Sequence, residues 1–138
     1  MADAQESLAR VPLFSGIDRK SLKQLAKLMR ERTFTEGETV AAEGQSGVGF
    51  FLIEEGNATV SVAGETVRTL VPGDYFGEVA LIDEGPRSAT VVAATDLRCL
   101  GMSAWEFRPF VQEHPEVTWA LLVALASRLR ETQARAAG

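Results

Sequence analysis

The chain has 138 residues, enough for one domain that buries roughly two thirds of the surface its unfolded form exposes. Its 14 Lys plus Arg against 19 Asp plus Glu leave a net charge of −5, which argues against the basic footprint a phosphate backbone demands and so against a nucleic-acid partner. The single cysteine, Cys99, excludes an internal disulfide and reads as a small buried hydrophobe in a reducing compartment.

The first residues, Met-Ala-Asp-Ala-Gln-Glu-Ser, carry neither a basic start nor an apolar run. No secretory signal is expected, and the chain is predicted to be cytoplasmic. Asp18 is a helix cap, and Leu22, Leu25, Ala26, Leu28 and Met29 line one side of a helix ending near Arg30, with Lys20, Lys23 and Lys27 on the other. From Glu31 to Met102 the pattern changes to short runs rich in Val, Thr and Phe, punctuated by Gly37, Gly44, Gly56, Gly64 and Gly73. That spacing predicts antiparallel strands forming a sandwich or roll. Thr59 to Val62 and Glu65 to Leu70 flank Ala63-Gly64, a hairpin signal.

Residues 76 to 91 are the densest in chemistry: Phe-Gly-Glu-Val-Ala-Leu-Ile-Asp-Glu-Gly-Pro-Arg-Ser-Ala-Thr-Val. Gly77 permits close backbone approach, and N–H groups at a short helical turn after it would attract an anion. Gly85 and Pro86 reverse the chain, so the Arg87 guanidinium returns to the same place. Glu78 would repel a phosphate unless it faced another part of the ligand, and a sugar hydroxyl is the fitting partner for a carboxylate. Phosphate plus ribose is therefore the ligand class. Ser88 and its neighbouring N–H groups offer neutral donors to the remaining oxygens. A plain turn with a Glu78–Arg87 surface pair would explain less, because such pairs contribute about 0 to 1 kcal/mol and require no Phe-Gly-Glu entrance. Asp83 and Glu84 read as a solvated loop.

At the C-terminal end Ser103 caps a short helix through Val111, and Pro115 opens a longer one. That helix is apolar nearly all round from Val117 to Leu129, so it must be covered on more than one face. About half of those residues are expected in the core, Trp119 among them. Arg128, Arg130 and Arg135 suit the negative end of its dipole. The apolar window Trp119 to Ala126 is far short of the ~20 residues a membrane span needs, so no membrane insertion is expected.

Phe76 through Thr90 resembles the phosphate-binding cassette of the cyclic nucleotide-binding domain family, to which bacterial catabolite activators and regulatory subunits of cyclic AMP-dependent protein kinase belong. Glu36-Gly37-Glu38, Phe51-Leu52-Ile53 before Gly56, and Gly73-Asp74-Tyr75 extend the likeness from about Leu13 to the final helix. Val79, where Leu or Ile is more usual, is a mild departure. The resemblance implies one domain over 1–138, mainly β with flanking helices: N-terminal helices over 1–30, an antiparallel jelly-roll-like β-roll over 31–102 containing the cassette at 76–90, and C-terminal helices over 103–138.

It further implies a cyclic AMP ligand, with cyclic GMP the alternative, and no other cofactor. Glu78 would take the ribose 2′-hydroxyl and Arg87 the cyclic phosphate, while Gly77, Ala80 and Ser88 supply donors and Phe76, Val79, Pro86 and Ala89 complete the site. Ser88 suits either base, since a hydroxyl there can approach the guanine 2-amino group. The last helix would close over the nucleotide and pair with its twin in a homodimer.

Other classes fit less well. A metal enzyme on a β-barrel commonly uses several histidines, and His114 stands alone. A phosphoryl-transfer loop of the Gly-x-x-x-x-Gly-Lys-Ser/Thr type is absent from the sequence. No DNA-recognition helix is expected in the about ten residues after the last apolar position. A nucleotide-blind interaction roll, or a regulatory piece of a larger regulator, channel or enzyme, remains the alternative.

Overall fold

The computed structural model describes residues 4–42, 44, 49–77 and 88–137. Helix α1 (Ala4–Ala9), a 3₁₀ turn (Pro12–Phe14) and α2 (Arg19–Leu28) precede eight strands: β1 (Arg30–Phe34), β2 (Thr39–Ala41), β3 (Phe50–Glu55), β4 (Ala58–Val62), β5 (Glu65–Leu70), β6 (Tyr75–Phe76), β7 (Thr90–Ala93) and β8 (Leu97–Met102). Helices α3 (Ala104–Glu113) and α4 (Pro115–Ala137) close the chain.

The strands form two four-stranded antiparallel sheets, ordered β1-β8-β3-β6 and β2-β7-β4-β5. This is the β-roll with helices at both ends that the spacing of strands and turns predicts. The hairpin at Ala63-Gly64 joins β4 to β5 with positive φ at both residues, 52° and 81°, the pattern of a primed two-residue turn that matches strand twist.

Why β3 reads as a continuous apolar run is now plain, since it is covered on both faces. Phe51 and Ile53 point into the roll and meet Val60, Leu70, Val91, Leu97 and Cys99. Phe50 and Leu52 point outward into a second cluster with Leu8, Phe14, Leu25, Phe107, Val117 and Leu121 from the helices. The described residues therefore form an inner core between the sheets and an outer core that fastens the described helices to one sheet.

Helix ends follow local chemistry. Asp18 Oδ1 accepts from the Ser21 N–H at 2.7 Å, and the Ser21 donors hold its carboxyl below the usual carboxylate range. Ser103 and Glu106 form a capping box at the start of α3. Next to α1, the Ser7 hydroxyl donates to Glu54 Oε2 at 2.8 Å, and Glu54 in turn accepts from Arg98 at 3.3 Å. Arg98 also reaches Glu55 at 2.6 Å and Glu31 at 3.8 Å.

The last helix corrects one expectation. Val117 and Leu121 are its buried apolar residues, while Trp119 is 68% exposed and Leu122, Val123 and Leu129 are more than half exposed. A helix apolar all round does not reveal which face meets its own chain, and here a narrow one does. Among the described residues no helix is long and apolar enough to cross a membrane.

Candidate functional site

The entrance to the 76–90 stretch is pinned on three sides. The Val71 N–H donates to Asp74 Oδ2 at 2.9 Å, closing the turn before β6. The Gly73 N–H donates to the Ile53 carbonyl and the Ile53 N–H to the Asp74 carbonyl, each at 2.9 Å. Phe76 then stacks on Phe51, its register partner, with ring centroids 5.2 Å apart. Gly77 follows with φ at 98°, a conformation that L side chains rarely adopt, so glycine is required where the chain leaves β6.

The far end of the stretch returns to the other sheet. Ser88 is exposed, Ala89 is half-buried against the inner core, and Thr90 begins β7. Phe76 and Gly77 thus leave one sheet and Ser88 and Ala89 rejoin the opposite one, bracketing one end of the roll. Glu78, Val79, Ala80, Pro86 and Arg87 lie outside the described residues.

Two other residues singled out in the sequence have structural settings. Cys99 is fully buried, and burial pushes its thiol up to about 12, with the Glu54 charge adding to the effect, so it is not poised as a nucleophile. His114 stacks on Phe110 at 4.2 Å and its Nδ1 lies 2.7 Å from the Phe110 carbonyl, ending α3. Among the described residues no group of three or more His, Cys, Asp or Glu could hold a metal ion.

Sequence reasoning missed an open cavity of about 750 Å³ between α4 and the roll. Its walls include Leu13 of the 3₁₀ turn, Arg68 of β5, Tyr75 of β6, and Ala124, Ser127 and Arg128 of α4. These elements lie far apart in sequence, so no local pattern announces the cavity.

Comparison with known proteins supplies the context for this geometry. The sequence model of the cyclic nucleotide-binding domain matches residues 31–114, from β1 to the end of α3. A CRP-like cAMP-activated global transcriptional regulator of Mycobacterium tuberculosis is 33% identical over 132 residues, covering 92% of this chain and 59% of that protein. The chain therefore spans less than two thirds of that relative. Among solved structures, the regulatory domain of Toxoplasma gondii PKA with cAMP superposes with a TM-score of 0.82 at 28% identity, covering 91% of this chain and 49% of the other. The catabolite activator protein of Thermus thermophilus gives a TM-score of 0.80 at 29% identity, covering 90% and 61%. With two antiparallel sheets, a pinned Phe-Gly entrance and a match running through both, the chain belongs to the cyclic nucleotide-binding domain family.

Proposed function

We propose that the chain is a cytoplasmic sensor of 3′,5′-cyclic nucleotides, with cyclic AMP the first ligand, that performs no chemistry on what it binds. The observation that carries this reading is the family match over 31–114, which contains the whole of 76–90. In this reading Arg87 clamps the cyclic phosphate and Glu78 takes the ribose 2′-hydroxyl. Gly77, Ala80 and Ser88 supply donors, and Phe76, Val79, Pro86 and Ala89 wall the site. The cAMP in the Toxoplasma gondii structure supports the ligand class.

Thermal unfolding with cyclic AMP, cyclic GMP and 5′-AMP tests it. A ligand present at a hundred times its Kd stabilises by about 2.7 kcal/mol, so the cyclic forms should raise Tm clearly while 5′-AMP does not. No shift with either cyclic form, or an equal shift with 5′-AMP, would sink the reading.

Occupancy is read out through α4. That helix rests on the 3₁₀ turn and on α3, where Thr118 Oγ1 donates to the Val111 carbonyl at 2.9 Å. A ligand shifts such a helix only by binding two of its positions unequally. The outward side of α4 supports self-association as the assembled state. Trp119, Leu122, Ala126, Leu129 and Gln133 recur at alternating steps of three and four, the seam of a two-helix coil, on the side away from Val117 and Leu121. Leu122→Asp together with Leu129→Asp should turn a dimer into a monomer in sedimentation velocity. A wild-type chain that sediments as a monomer at tens of micromolar would remove this part.

A further inference from the structure

We infer that the outer side of α2, the start of β1 and Trp105 form a docking surface for an anionic lipid bilayer, against which the chain lies at headgroup depth. The first support is the placement of charge. Arg19, Lys20, Lys23, Lys27, Arg30 and Arg32 are six of the chain's 14 cations, and Glu31 is the one acid among residues 19–32. That segment therefore carries +5, while eight cations against eighteen acids leave the rest of the chain at −10. All six cations are exposed, and among the described residues none of them forms an ion pair. Glu31 does not offset them, because it faces Arg98 at 3.8 Å.

The fold keeps these charges outward. Leu22 and Leu25 seat α2 in the outer core, which leaves Lys20, Lys23 and Lys27, spaced by three and four, along its other side. β1 is the outermost strand of its sheet, so Arg30 and Arg32 stand on a rim. The outside of a surface helix continued by an edge strand is convex, and it meets a charged plane more fully than it could enclose one strand of peptide or nucleic acid. Clusters of Lys and Arg on a helix are drawn to anionic headgroups, about fivefold in affinity for each cation near the surface. Distant acids oppose this little, since charges beyond a Debye length of about 8 Å are screened at physiological salt. Trp105 is the second support. It is 84% exposed and belongs to the first turn of α3, three residues after β8 ends at Met102. That end of β8 adjoins the start of β1, with Gly101 in register with Arg30. A tryptophan at the same end of the sheet as the cations suits a bilayer interface, where its ring meets the acyl boundary and its N–H stays wet.

Co-sedimentation with sucrose-loaded vesicles tests this, using phosphatidylcholine alone and phosphatidylcholine with a one-third share of phosphatidylglycerol. The full chain should pellet with the anionic vesicles and not with the neutral ones, and high salt should release it. Lys23→Gln together with Lys27→Gln and Arg30→Gln should lower partitioning by about tenfold or more. Thermal unfolding of that variant in solution should match wild type, because all three side chains are exposed. In a Trp119→Phe background Trp105 is the one remaining tryptophan, and its emission should move to the blue on anionic vesicles. No pelleting with anionic vesicles, equal pelleting with both kinds, undiminished partitioning of the triple variant or an unmoved Trp105 emission overturns the docking surface. Capture by polyglutamate or a DNA duplex without capture by vesicles overturns it too, and gives the cations to a macromolecular polyanion instead.

Discussion

Arg87→Ala is expected to weaken cyclic-nucleotide binding by about 2 to 5 kcal/mol, a roughly thirty-fold to several-thousand-fold rise in Kd. The size follows from what is left behind. In the proposed site the cyclic phosphate is a monoanion held by Arg87, and removing that cation would leave a desolvated charge with neutral donors alone. Arg87 stands three residues before β7 begins at Thr90, and the role proposed for it is to hold ligand rather than to pack the fold. The ligand-free protein should therefore unfold at an unchanged denaturant midpoint. Isothermal calorimetry on folded variant measures the effect directly, and an affinity within threefold of wild type refutes Arg87 as the clamp.

Phe50→Ala should produce the largest loss of stability, about 3 to 5 kcal/mol in urea unfolding. Phe50 is 0% exposed and stands where the outer face of the sheet meets the helices. Its ring stacks on Phe107 of α3 at 4.9 Å, tilts over Tyr75 at 5.4 Å and meets the edge of Phe14 at 6.2 Å. Truncation removes one partner from three aromatic contacts at once and opens a cavity that backbone from four separate elements cannot collapse to fill. A loss below about 1 kcal/mol would mean that helices and sheet are held by something other than this junction.

Much of this arrangement is legible in the residues alone. The Asp18 cap, the Ala63-Gly64 hairpin and the opening of the last helix at Pro115 are local events, fixed by side chains within a few residues of one another. The apolar run in β3 is likewise visible, although only the fold explains that its odd and even residues serve two different cores. What escaped was non-local. Nothing around Trp119 indicates that the helix would turn Val117 and Leu121 inward and leave the indole 68% exposed, because every face of that segment is apolar. Nothing in the Glu65 to Leu70 run marks Arg68, and only the approach of α4 and the 3₁₀ turn places it on the wall of a cavity. The Ser7–Glu54–Arg98 chain of bonds joins residues 44 and 47 positions apart, beyond the reach of any periodicity.

Strand β6 is two residues long, and its two rings go to opposite sides: Tyr75 packs with the helices and Phe76 inside the roll. Phe76 stacks on Phe51 while its neighbour Tyr75 packs over Phe50, on which Phe14 and Phe107 also rest. Leu13, beside Phe14, lines the seat of the final helix. The aromatic pair at the entrance and the aromatic group beneath the last helix thus share a single dipeptide of backbone.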